Sequence, residues 1–381
     1  MDTEDMAARR LSPFPVGYYP FNKDTHMNFQ LNRWHSLGYW TKEDAQQAGE
    51  RVGKLGDWKP VMVNAAEEMI GAGRTLAGAF GYRAAEFFTH PADPDKIPLY
   101  DQFHETFYIA VQDERMERIS VPYQGVEMPA LRLSPQDSLG TIVIHGGLDS
   151  FMEELYSAAC YIFDTGYEVI LFEGPGQGAA LRRSGLYMTH EWEKPVSAVL
   201  DHFALTDVTL VGLSMGGYLA PRAAAFEERI KRVVAYDVFL YDQHGSGLQG
   251  ALYQLFLKLP GFYNWVANTA MRMSVNADHV INQWMYITGS NTPAAWNALL
   301  EHYSVSDVAA QIRQDVLLLA GAADHMIPVK EYDNNMKGMV NARSLTGRIF
   351  TAEEHAQNHC QVGNLKLALD VILDWVGEKS V

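Results

Sequence analysis

Two cysteines in 381 residues, Cys160 and Cys360, offer no disulfide framework to staple a fold. No apolar run approaches the roughly 20 residues needed to span a bilayer, the longest being strand-sized pieces such as Val316 to Ala320. No membrane-spanning helix is therefore expected. The opening MDTEDMAARRL lacks the apolar stretch of a secretory signal, so the expected location is cytoplasmic. Positive charge is also scarce. Thirty lysines and arginines stand against 46 acidic residues, and the resulting net charge of −16 opposes any polyanion, so no nucleic-acid partner is expected. No internal repeat or low-complexity segment is present. What is there is an ordinary globular composition, long enough for roughly two domains and suited to a small apolar or aromatic substrate.

Residues 1–115 carry helical patterns and little alternation of period two. Thr41 followed by Asp44 makes a capping box for a helix reaching Gly49 to Lys54, and a second helix is predicted from about Val61 to Ala77. Tyr100, Phe103, Phe107 and Val111 share one helical face. From Met116 the pattern changes to short β-type runs, MERISVPY, VEMPALRL and TIVIHGG, and then to strands alternating with helices. That alternation predicts an α/β fold, a mainly parallel sheet covered on both faces over residues 116–381, with function at the carboxyl ends of its strands. The stretch 241–310 is too long for a plain connection and reads as a helical cap or lid. Its large apolar residues, Tyr253, Phe256, Phe262, Trp265, Met271, Met273, Trp284 and Met285, predict an apolar pocket, with Trp284, Tyr253 and Phe256 taken as substrate-binding.

The stretch VTLVGLSMGG, residues 208–217, carries the chemistry. An apolar run enters GLSMG and a helix-like sequence leaves it, the setting of a nucleophile elbow, in which Ser214 sits on a sharp turn between Gly212 and Gly216. A serine needs a base, and the base needs an orienting acid. Asp324 follows the apolar run VLLLAGAA, with Asp237 after RVVAY as the reserve. EEHAQNHCQVGN offers His355 and His359, of which His359, immediately before the final helix, is preferred. The four-residue spacing of these histidines also fits a metal pair, but no glutamate follows the first and no third ligand has a recognisable spacing, so no metal is expected. No cofactor is expected either. GPGQGA at 174–179 fits a dinucleotide loop only nominally, because Pro175 removes a backbone donor where phosphate would need one. HGGLDS at 145–150 supplies the oxyanion loop, with Gly147 donating alongside Met215. Asp149 in that loop either tunes acid–base chemistry or caps the following helix, a task that Ser150 could also perform.

With these residues in place, the chain resembles the α/β-hydrolases. Through its helical N-terminal region, HGGLDSFMEE, FEGPGQG, GLSMGG, GAADHMIP and HCQVGN, it is similar to the branch of 2,6-dihydroxypseudooxynicotine hydrolase and the fungal heptaketide-shortening hydrolases. The resemblance implies an α/β-hydrolase fold, a triad of Ser214, Asp324 and His359, and a homodimer. It also implies hydrolysis of a carbon–carbon bond beside a ketone in an aryl-ketone or polyketide-like substrate. The resemblance to the nicotine-pathway enzyme also implies a functional carboxylate on the loop after the third strand, a glutamate there and Asp149, one methylene shorter, here. The same triad serves carboxylesterases and lactonases, then peptidases and acyl transferases, because the pocket chooses the leaving group.

Overall fold

The computed structural model describes residues 14–242 and 257–380, so Tyr253 and Phe256 lie outside the described residues. The chain divides into two compact units. One comprises the chain to Asp113 with Ala352–Ala356 and Gln361–Leu369; the other comprises Glu114–Thr351, Gln357–Cys360 and the chain from Asp370. The two late returns to the first unit have no counterpart in the sequence pattern, which is expressed along the chain and is blind to such crossings.

The first unit is helical: α1 (Thr25–Ser36), α2 (Lys42–Arg51), α3 (Leu55–Gly71), α4 (Thr75–Phe87) and α5 (Lys96–Ala110). α2 begins as the Thr41/Asp44 spacing requires: the Asp44 amide donates to Thr41 Oγ1 at 3.1 Å and the Thr41 amide to Asp44 Oδ2 at 2.9 Å. The helix expected over 61–77 starts earlier and is cut short. α3 ends at Gly71, and Gly73 turns the chain at φ +78° before α4 restarts at Thr75. Tyr100, Phe103, Phe107 and Val111 are all buried, as their shared face requires. They join a core containing Trp34, Trp58 and Phe80. Beneath that core Glu86 is paired with both Arg83 and Lys96, three charges removed from water together.

The second unit is built on an eight-stranded sheet: β1 (Met116–Tyr123), β2 (Val126–Leu133), β3 (Thr141–His145), β4 (Glu168–Phe172), β5 (Val208–Leu213), β6 (Ile230–Tyr236), β7 (Asp315–Gly321) and β8 (Ser344–Phe350). Its order is β1-β2-β4-β3-β5-β6-β7-β8. β2 runs against both its neighbours and every other pair is parallel. The central strands β4 and β7 are buried along their whole length, which explains why they read as unbroken apolar runs rather than alternating ones. Between the strands lie α6 (Tyr156–Phe163), α7 (Gly178–Arg182), α8 (Glu193–His202) and α9 (Gly216–Phe226).

Between β6 and β7 come three helices, α10 (Pro260–Met273), α11 (Val275–Thr288) and α12 (Pro293–Leu300). Ser274 caps α11 by accepting from the Ala277 amide, and Gly289 ends it at φ +66°. Thr292 then caps α12, with Pro293 in its first turn. Phe262, Trp265 and Met273 are exposed, and Ala267 is the one residue of α10 that is buried, so these three side chains stay out of the core. The chain closes with α13 (Lys330–Gly338) and α14 (Leu365–Lys379). No described helix is long and apolar enough to cross a membrane.

Candidate active site

β5 ends at Leu213 and α9 begins at Gly216, so Ser214 occupies the tight turn between strand and helix. Its φ of +59° is a left-handed conformation that costs a β-carbon-bearing residue about 1–3 kcal/mol and is retained where surrounding contacts impose it. Those contacts are backbone hydrogen bonds. The Ser214 amide donates to the Tyr236 carbonyl at 2.8 Å and the Gly217 amide to the Ser214 carbonyl at 2.7 Å. The turn is thereby clamped between β6 and its own helix.

Two loops converge on that serine. His359 Nε2 lies 2.8 Å from Ser214 Oγ, and His359 Nδ1 lies 2.6 Å from Asp324 Oδ2. His355 is exposed, and His359 is the histidine that reaches the serine. Asp324 is fixed independently of the imidazole, because its Oδ1 accepts from the Met326 amide at 2.6 Å and the Ile327 amide at 3.0 Å. The Ala323 amide donates to the Gln357 carbonyl at 2.8 Å and ties the two loops together.

Burial raises the Asp324 carboxyl, but the hydrogen bond with His359 and the other donors more than offset this and lower it to about 2. His359 moves upward. Burial disfavours its charged form, while neighbouring Cys360 and the Asp324 carboxylate favour it more strongly. A basic imidazole held by an ionised acid can withdraw a proton from Ser214 and stabilise the imidazolium that results. Asp237, the reserve acid, also lies here: its Oδ2 is 3.8 Å from His359 Nδ1.

The oxyanion loop is more guarded than the motif suggests. Gly147 abuts the elbow so closely that a β-carbon on it would come within 2.7 Å of both the Leu213 carbonyl and the Met215 amide nitrogen. Met215 directly precedes α9, so its N–H points out of a helix start. The Gly147 amide, expected to be its partner, instead donates to Ser150 Oγ at 3.0 Å. The loop folds back because the chain turns at Asp149, φ +49°, and brings the Ser150 hydroxyl beneath Gly147. Gln177 secures the same loop, its Nε2 donating to the carbonyls of Gly146 at 2.8 Å and Gly147 at 2.9 Å. Thus Gln177 of GPGQG braces HGG.

Asp149 is buried, and its carboxylate accepts from Arg182 Nη2 at 2.8 Å and from Gln283 Nε2 of α11 at 2.6 Å. It therefore links the oxyanion loop to α7 and to the expected lid. It caps no helix. The Arg182 guanidinium, itself 4.5 Å above the Phe151 ring, supplies the matching charge, so the carboxylate does not present an uncompensated anion to the loop. Trp284, the next residue of α11, stacks on Trp296 with centroids 5.5 Å apart and packs against the core. Glu173 is a further buried acid that the sequence reading did not single out. It accepts from the Met152 and Ala179 amides, and burial followed by the charge of Glu153 raises it to about 8. Arg182 and Gln283 escaped notice because they stand 33 and 134 residues from Asp149 and no local motif joins them.

A mostly parallel eight-stranded sheet with a serine elbow after β5, a carboxylate after β7 and a histidine after β8 defines the class, and the chain belongs to the α/β-hydrolase family. The model of the α/β hydrolase fold matches residues 142–280. Hydrolase LUC6 of a Fusarium species is 30% identical over 299 residues, covering 68% of this chain and 70% of that protein. Hydrolase acrC of Aspergillus aculeatus is 29% identical over 327 residues, 75% and 73% of the two chains. Among solved structures, 2,6-dihydroxy-pseudo-oxynicotine hydrolase superposes with a TM-score of 0.62 at 19% identity, over 90% of this chain and 94% of that one, a likeness of fold.

Proposed function

We propose that this enzyme is a serine hydrolase that cleaves the carbon–carbon bond beside a ketone in a bulky aryl-ketone or polyketide-like substrate through an acyl-enzyme. The observation that carries the covalent mechanism is the continuous chain from Ser214 Oγ to His359, 2.8 Å, and from His359 to Asp324, 2.6 Å, on a serine held at positive φ. Ser214 attacks the carbonyl carbon while His359 takes its proton. The oxyanion is received by the Met215 amide and by the Gly147 amide when Ser150 Oγ yields it. Collapse expels the electron-rich fragment as a carbanion or enolate, which takes the proton from His359. Water, deprotonated by the same imidazole, then releases the acid and regenerates Ser214. Asp149 acts on the loop and lid through Arg182 and Gln283. The choice of a carbon leaving group is supported by the resemblance of the HGGLDSFMEE, FEGPGQG and GLSMGG segments to carbon–carbon bond hydrolases.

The test is a panel of polyhydroxyaryl ketones and matched aryl esters, run with the wild-type enzyme and Ser214→Ala. Ketone cleavage is expected at a kcat/KM at least comparable with that of the esters, and Ser214→Ala is expected to lose about 10⁵-fold or more. Ester hydrolysis without ketone cleavage refutes the carbon–carbon assignment. Full turnover by Ser214→Ala refutes the nucleophile.

A further inference from the structure

Asp237 and Asp324 place two carboxyls on one imidazole. Asp237 follows β6, Asp324 follows β7, and one ligand-capable atom from each lies within 4.8 Å of the other and of His359 Nδ1. Asp237 is 1% exposed. Two buried carboxylates at this separation repel strongly enough that one retains its proton. The donors around them indicate which one. Asp324 receives three: the Met326 and Ile327 amides on Oδ1 and the imidazole on Oδ2. Asp237 receives two, the Val238 amide at 3.0 Å on Oδ1 and the Cys360 amide at a long 3.2 Å on Oδ2, and one of its oxygens faces an Asp324 oxygen within 4.8 Å. The better-solvated carboxyl carries the charge, and the other carries the proton that joins them.

We propose that Asp237 is a positioning residue of the Ser214–His359 pair. Its protonated carboxyl donates to Asp324 so that one negative charge, not two, faces the imidazole, and it takes over His359 Nδ1 when Asp324 is removed. The inference rests on Ser214 and His359 being the nucleophile and base. Burial, with the Asp324 charge adding to it against the pull of His359, raises Asp237 well above the ordinary carboxylate range, in agreement with this assignment. The takeover requires only a short move. Asp237 Oδ2 is already 3.8 Å from Nδ1, and its loop is anchored to the segment that carries the histidine through the Cys360 amide. Once Asp324 is gone, its opposing charge is gone too, and the imidazolium joins the Val238 and Cys360 amides in favouring the charged form of Asp237, which then ionises. The other titratable groups facing the cluster are Tyr236, Cys360 and His325, whose ring lies 6.3 Å from that of His359.

The experiment measures the rate at which a fluorophosphonate labels Ser214 in the full-length enzyme and in the variants Asp324→Ala, Asp237→Asn, Asp237→Ala, Asp324→Ala/Asp237→Asn and Ser214→Ala. Melting temperatures identify any variant that has not folded. Where no second acid exists, loss of the orienting aspartate costs about 10⁴-fold. Here Asp324→Ala is expected to lose only about 10²-fold and the double variant about 10⁴-fold. Asp237→Asn, whose amide donates to Asp324 as the acid does, is expected to lose less than about tenfold, and Asp237→Ala more than Asp237→Asn. The acidic limb of the Asp324→Ala pH–rate profile should also shift, because its imidazole is partnered by a different acid. Equal rates for Asp324→Ala and the double variant overturn the takeover. A loss in Asp237→Asn as large as in Asp324→Ala overturns the neutral assignment. Labelling that survives Ser214→Ala refutes instead the function on which the inference rests.

Discussion

The elbow glycines should be unequal: Gly212 is as constrained as the motif implies, while the second tight position is Gly217 rather than Gly216. A β-carbon on Gly212 would sit 2.2 Å from the Gly216 carbonyl oxygen, and one on Gly217 would sit 1.9 Å from the Asp237 carbonyl oxygen. Both obstacles are backbone. Relief requires the start of α9 or the Asp237 loop to move by about 1 Å, a misplacement that costs on the order of 10²-fold when it is transmitted to reacting groups. On Gly216 the nearest atoms are His145 Cε1 at 3.3 Å and the Gly146 carbonyl at 3.4 Å, tight but negotiable contacts. Replacing a helical glycine by alanine also gains about 1 kcal/mol of propensity, which offsets part of that crowding. Gly212→Ala and Gly217→Ala are therefore expected to lower kcat/KM for an activated aryl ester by about 10²-fold, and Gly216→Ala by less than about tenfold. Near-UV circular dichroism would verify that each variant is folded. If Gly216→Ala is as damaging as Gly212→Ala, or if Gly217→Ala is tolerated, the argument from close approach is wrong.

Asp149→Asn removes the charge opposite a guanidinium with no exposed side-chain surface, and breaking a buried pair in this way costs about 3–5 kcal/mol. A lowered melting temperature is expected, partly restored by adding Arg182→Met; an unchanged one would show that Arg182 has another adequate partner. Glu173, raised to about 8, binds a proton in the native state that the unfolded chain, with an ordinary carboxyl near 4.3, has released. Its contribution to stability therefore falls as pH rises between about 5 and 8, by at most about 1.4 kcal/mol per unit. Urea midpoints at the two ends of that window should fall with pH in the wild type and much less in Glu173→Gln. Parallel behaviour of the two proteins would show that Glu173 is already ionised.

Ser214, Asp324 and His359 were legible because each sits where a strongly apolar run meets a turn or a helix, and such boundaries are written locally. The sheet was legible for the same reason: buried parallel strands are continuous apolar words. Gly217 was not singled out, because the constraint on it comes from Asp237, 20 residues on and one strand across. Asp237 itself was visible only as a substitute for Asp324; that both acids address one histidine depends on the spacing of adjacent strands β6 and β7. The partner of the Gly147 amide was not legible, since a loop motif does not reveal that Ser150 bends back to meet it. The break at Gly71–Gly73 was hidden by helical periodicity on both sides, which two glycines override.

The first unit takes up Ala352–Ala356 and Gln361–Leu369, and His359 lies on the short link between them. The ribosome completes residue 113 about 240 residues before it reaches these segments, a delay of roughly 10–50 s. Throughout that interval the emerging helical unit lacks two of its own pieces, and Ser214, once made, still waits for His359. Under the proposed mechanism the nascent chain thus carries an unarmed serine, and the translation of one short late stretch supplies at once the last parts of the helical unit and the proposed proton acceptor. A stop codon or proteolytic cut upstream of Ala352 would remove both together, leaving the helical unit short of two pieces and the serine without its imidazole.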